Sequence, residues 1–129
     1  MHSRPFSRFK VFLHLFLLVG ALYMLFFALT PVSYATVLTV PDPYPTIQAA
    51  INAAAAGDTI QVNRRPGETH SIYYERIAIN KQLTVSGESR DNITIDGNGA
   101  GTVVQIQADY VQFKGFTVRN GGQKYSGIR

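Results

Sequence analysis

The chain has no cysteine, no tryptophan, only three histidines and a charged fraction of just 16%. Without cysteine there is no disulfide framework, no thiolate zinc site and no cysteine nucleophile. His2 and His14 both fall within the first 35 residues, so His70 stands alone in the remainder with no second imidazole to share a metal. Acid is missing from one end. The first 35 residues hold Arg4, Arg8 and Lys10 and no carboxylate, and all eight acidic residues come later. The pI near 9.6 therefore reports that leader, because the rest of the chain is close to neutral. A basic balance of that origin gives no reason to expect a nucleic-acid partner.

The leader has its own grammar. A basic segment to Lys10 precedes a 19-residue apolar run, Val11 to Leu29, interrupted by His14 and Gly20. Pro31 then breaks the helix, and Ser33-Tyr34-Ala35 sets small residues at the −3 and −1 positions of a cleavage site. Residues 1–35 therefore read as a secretory signal that engages the membrane. About 20 apolar residues also suffice to span a bilayer, so a retained N-terminal anchor is the alternative. Either way the remainder, 36–129, is expected outside the cytoplasm: extracellular, periplasmic or on the cell surface.

After an extended stretch with Pro41, Pro43 and Pro45, the pattern turns helical at Thr46. Ile47, Ala50, Ile51 and Ala54 form one apolar stripe, with Thr46 as N-cap and Gly57 as the residue after the C-terminus. Beyond Gly57 the period is two. Ile60 and Val62, Ile77 and Ile79, Leu83 and Val85, Ile93 and Ile95, Val104 and Ile106, Val111 and Phe113, and Phe116 and Val118 mark short strands whose named residues face inward. Turn compositions separate them, and Asn63 to Ser71 reads as a loop.

The strands also repeat at longer range. Leu83 to Gly87 matches Val111 to Gly115 after 28 residues, and Ile77-x-Ile79 matches Val104-x-Ile106 after 27. Such a period points to a solenoid in which each strand pairs with its equivalent one turn on. The expected fold is all-β: a right-handed parallel β-helix with an N-terminal capping α-helix, truncated after about two to three rungs, so that 36–129 reads as the N-terminal part of a longer β-helix domain.

These residues resemble the start of the pectin-lyase-like superfamily. Thr46 to Ala54 followed by Gly57-Asp58-Thr59-Ile60-Gln61-Val62 is similar to its cap helix and first strand, and Pro66-Gly67, Tyr74-Glu75-Arg76 and Ile79 resemble its next conserved-looking run. Six residues, Glu68 to Tyr73, stand where that pattern has one or two. The superfamily holds pectate lyases, polygalacturonases, pectinesterases, copper-maturation proteins of the NosD type and non-catalytic repeat proteins, so the resemblance speaks to fold more than function. In such proteins catalytic and calcium-binding groups sit on central turns. The resemblance thus implies that any catalysis of this type lies beyond Arg129, after an ending, Tyr125-Ser126-Gly127-Ile128, that reads as the start of another strand.

The candidate chemistry within the chain is sparse. Glu75, Asp96 and Asp109 adjoin turns and read as solvated, with no two placed as an acid–base pair. Asp96-Gly97-Asn98-Gly99 lacks the later ligands of an EF-hand loop. Gly97 to Gly101 precedes a strand rather than a helix and offers no dipole to a phosphate. No catalytic residue, metal ligand or cofactor is assigned. Arg64 and Arg65 with Tyr73 and Tyr74 form the one cluster suited to an acidic sugar, the guanidinium for a carboxylate and the ring for a sugar face. Asn92-Ile93-Thr94 is a glycosylation sequon whose threonine lies in an expected strand.

Two functions follow: a non-catalytic repeat scaffold binding an acidic polysaccharide, surface glycan or protein partner, or the N-terminal part of a polysaccharide-active lyase, hydrolase or esterase. Self-association through an uncovered C-terminal end is a further expectation. Exported material should begin at Thr36 on N-terminal sequencing. Recovery in membranes alone, with the basic N-terminus intact, would identify an anchor instead.

Overall fold

The structure, a computed structural model, describes residues 31–122. Most of the expected leader and the ending Tyr125 to Ile128 lie outside the described residues. Among those described, no helix is long and apolar enough to cross a membrane.

Nine strands and one helix make up the described fold: β1 (Val37–Val40), α1 (Ile47–Ala53), β2 (Thr59–Val62), β3 (Ser71–Tyr74), β4 (Ile77–Ile79), β5 (Thr84–Gly87), β6 (Ile93–Asp96), β7 (Val104–Ile106), β8 (Gln112–Lys114) and β9 (Thr117–Arg119). Every pairing is parallel. The strands stack in three sheets, β1-β2-β5-β8, β3-β6-β9 and β4-β7. The result is a parallel β-solenoid of about four turns, more than the two to three expected. The difference comes from β1, which the proline-rich sequence presents as merely extended. Its prolines begin one residue after the strand, where they cannot cost it a ladder bond.

The register is the one the repeats imply. Val85 stands opposite Phe113, and Ile77 opposite Val104. Inward columns result: Leu38, Ile60, Val85 and Phe113 on the first sheet, and Tyr73, Ile95 and Val118 on the second. Of the expected inward residues, those from Ile60 to Val104 are buried, whereas Ile106, Val111, Phe113, Phe116 and Val118 are half-buried against the same core. The rings of Phe113 and Phe116 stack with centroids 4.7 Å apart. Strand β3 falls partly within the expected loop. Its inward residues are Ser71 and Tyr73 and its Ile72 faces outward, the reverse of a hydrophobic reading.

Helix α1 buries Ile47, Ala50 and Ile51, with Thr46 as the N-cap accepting from the Ala49 N–H at 3.1 Å. The helix does not run on to Gly57: it stops at Ala53 with Ala54 extended. Its C-terminus is closed from elsewhere, since Lys81 Nζ donates to the carbonyls of Ile51, Asn52 and Ala54 at 2.9, 3.2 and 2.6 Å. At the other end the Glu75 carboxylate accepts from the N–H groups of Ile47 and Gln48 at 2.9 and 3.2 Å. Each charge sits at the helix end whose partial charge it opposes. Between them, the Gln48 side-chain amide accepts from Ala78 N–H at 2.8 Å and donates to Ala78 O at 3.3 Å. It thereby acts as a substitute strand along β4, which otherwise pairs only with β7.

Stacking also demands one close backbone approach. A Cβ on Gly87 would run into the Gly115 carbonyl and the Phe116 ring, so both positions of the Ser86-Gly87 and Lys114-Gly115 repeat must stay small. Gly87→Ala should destabilise the fold by about 1–3 kcal/mol in chemical unfolding. Gly57→Asn is the comparison: a side chain there meets no neighbouring atom, so its cost is confined to the left-handed backbone, which asparagine tolerates better than most residues.

Candidate functional site

Strand β3 ends at Tyr74, β6 at Asp96 and β9 at Arg119, and these three residues are register partners. Where the chain leaves the first two strands, the segments Tyr74–Arg76 and Asp96–Asn98, with Ala100, line a shallow open cleft of about 200 Å³. Tyr74 is 67% exposed, the terminal outward residue of its strand. Arg76 is exposed and is held by Nη1–H donating to the Ala100 carbonyl at 2.8 Å. It has no carboxylate within ion-pair distance among the described residues. Asn98 sits in a left-handed turn, with its N–H fixed to Asp96 Oδ1 at 2.9 Å.

The two carboxylates at the cleft are not the solvated turn residues expected. Glu75 is half-buried and turned to α1. Asp96 is buried, with Oδ2 accepting from Arg119 Nε and Asn120 Nδ2, both at 2.9 Å. The Asn98 N–H, then Arg119 and Asn120, hold the Asp96 carboxyl below the ordinary carboxylate range against the opposing effect of burial. With three hydrogen bonds and a lowered basicity, the anion fastens neighbouring turns together. Asp109 is exposed as expected.

The cluster expected for an acidic sugar is divided. Arg64 makes a forked pair with Glu88, with Nη2 to Oε1 at 2.7 Å and Nε to Oε1 and Oε2 at 3.1 Å. The pair pushes the Glu88 carboxyl down and the guanidinium up. Arg65 lies over the Tyr73 ring, 4.3 Å from its centroid, and donates to the Ile72 carbonyl at 3.0 Å. Tyr73 is 1% exposed, and its hydroxyl donates to the Asn63 carbonyl at 2.7 Å. Adjacent strand residues point to opposite faces, so Tyr73 enters the core and Tyr74 leaves it. Only Tyr74 of the four reaches the cleft.

Arg76 and Asn98, which the sequence did not single out as binding residues, line the cleft instead. The one available signal was the Gly97-Asn98-Gly99 turn one rung below Tyr74-Glu75-Arg76, visible only once the register is known. His70 is exposed, and its ring nitrogens lie 2.8 Å from the Asp91 carbonyl and 2.9 Å from Thr94 Oγ1. Thr94 of the sequon is buried in β6. No group of three or more metal-ligating side chains occurs among the described residues.

No protein-family description, characterised protein or solved structure matches the chain.

The depressed carboxyls carry a pH signature. Asp96 and Glu88 have folded values below their unfolded ones, so their contribution is present above the ordinary carboxylate range and is lost as pH falls through it and below. The unfolding midpoint should drop between about pH 5 and pH 2, and Asp96→Asn should flatten part of that decline while lowering stability at neutral pH.

Proposed function

We propose that the chain is an exported, non-catalytic solenoid module of the pectin-lyase-like type, and that it binds an acidic cell-surface or matrix polysaccharide. The observation that carries the reading is the division of labour at the cleft. Both carboxylates there are committed to holding segments together, whereas an exposed aromatic ring, a guanidinium with no carboxylate partner among the described residues and the exposed side chain of Asn98 remain open to a ligand. Tyr74 offers its face to a sugar ring, and the planar guanidinium of Arg76 offers its remaining N–H groups to a carboxylate.

The superfamily assignment is supported by where the motif residues fall. Thr46 to Ala54 forms the cap helix and its exit, and Thr59 to Val62 forms the strand that follows. Export is supported by the leader and its small-x-small site.

The full chain, expressed through an export route, should bind oligouronates more tightly than neutral oligosaccharides of equal length. Tyr74→Ala and Arg76→Ala should each weaken binding about tenfold, roughly 1.4 kcal/mol. Arg64→Ala should lower stability and leave affinity unchanged. Sustained release of reducing ends, unsaturated sugars or methanol that disappears in Asp96→Asn or Asp109→Asn would replace this reading with an enzymatic one.

A further inference from the structure

Thr36 immediately precedes β1, and its N–H donates to Asp58 Oδ1 at 2.9 Å. The other oxygen of that carboxylate accepts from the Ala55 N–H at 2.8 Å, and the Asp58 N–H returns to the Ala55 carbonyl at 3.1 Å. Asp58 is only 6% exposed. A bond from the Thr59 N–H to the Thr36 carbonyl, 2.9 Å, fixes Thr36 from its other side. Its nitrogen is thus held against a buried carboxylate that has no ion-pair partner among the described residues. Lys81 acts on Asp58 only at a distance, because its ammonium is bound to the carbonyls at the end of α1. Residues 31–36 are exposed, and the solenoid unit begins at Ala35.

We propose that hydrolysis of the Ala35–Thr36 bond, the processing step of the export reading on which this rests, converts the Thr36 nitrogen into an ammonium that pairs with Asp58 and fastens β1 to the exit of α1. Water supplies the atoms: its hydroxyl goes to the Ala35 carbonyl carbon, its proton to the Thr36 nitrogen as the C–N bond breaks. The new carboxylic acid then passes its proton to the amine, leaving a carboxylate on the departing leader and an ammonium on Thr36. A neutral amide donor becomes a charged one at the same place, and a charge-assisted bond is about twice as strong as its neutral counterpart. Burial of Asp58 strengthens the attraction through a lower effective dielectric, and because Thr36 itself is exposed the ammonium keeps water on its remaining N–H groups and avoids most of the desolvation cost of a fully buried pair. The precursor and the processed chain are therefore unequal in stability, and the processed chain is the firmer.

The amine also gives the effect a direction in pH. An ordinary α-amino group titrates near pH 7.7–8.0. Asp58 favours its charged form and the more distant Lys81 opposes it, with Asp58 closer. The contribution is complete below the ordinary range and disappears as pH rises through the elevated folded value.

The experiment uses processed chain recovered from exporting cells, sequenced from its N-terminus, and the same material selectively acetylated on the α-amino group. Acetylation should lower the unfolding midpoint by about 4–8 °C in the parent, and by much less in Asp58→Asn. Direct titration of the α-amino group in the parent, which needs no variant, should place it above the ordinary range. An equal effect of acetylation in parent and Asp58→Asn, or an amine that titrates normally, would overturn the ion pair while leaving export intact. A mature N-terminus at any other residue would overturn the processing premise itself.

Discussion

Parallel stacking makes every turn of this molecule depend on the one before it. A strand satisfies its backbone on two sides only if both neighbours exist, and among the described residues the first turn has no strand before it. The clamp on α1 answers that problem. Ile47 and Ile51 cover the apolar columns, the Gln48 amide pairs with Ala78 as a strand would, and Glu75 and Lys81 hold the two ends of the helix. A helix of seven residues has little stability of its own, so these tertiary contacts decide that it forms. Everything later in the solenoid inherits its register from this start.

The same economy governs the charges. With few carboxylates available, the fold uses the buried and half-buried ones, and the exposed Glu88 with them, as ties to segments far apart in sequence: Glu75 to α1, Asp58 to Thr36, Glu88 to Arg64, and Asp96 to Arg119 and Asn120. Of the carboxylates that in the sequence look like candidate acids or bases, Glu75 and Asp96 are thereby engaged, whereas Asp109 stays exposed. Among the described residues, the shallow cleft presents the ring of Tyr74, the guanidinium of Arg76 and the side chain of Asn98. The carboxylates at the cleft face their ties, and Tyr74 faces away from the core.

The site was legible only in part, for a geometric reason. Arg64, Arg65, Tyr73 and Tyr74 lie near one another along the chain and carry the right chemistry for an acidic sugar. Strand alternation sends Tyr73 inward and Tyr74 outward, and Glu88, from the next turn, claims Arg64. Arg76 and Asn98 meet at the cleft because β3 stacks on β6, a pairing across 22 residues that no local pattern announces. Strand β3 itself was hidden by its composition, since a serine and a tyrosine fill the inward positions and an isoleucine faces out.

Period-two patterning, turn residues and a long-range repeat determined by themselves that this chain stacks short parallel strands under a helical cap. Those signals are local or periodic, and the physics behind them, alternate side chains on opposite faces and apolar columns one turn apart, is written into spacing. Only the tertiary structure decided which side chains are free. Whether a carboxylate is a base or a bolt, and whether an arginine is a ligand hand or half of an ion pair, depends on what the neighbouring turn places within 3 Å of it. That neighbour is fixed by register, by the number of residues in each intervening turn, and by the small displacements a glycine such as Gly87 permits.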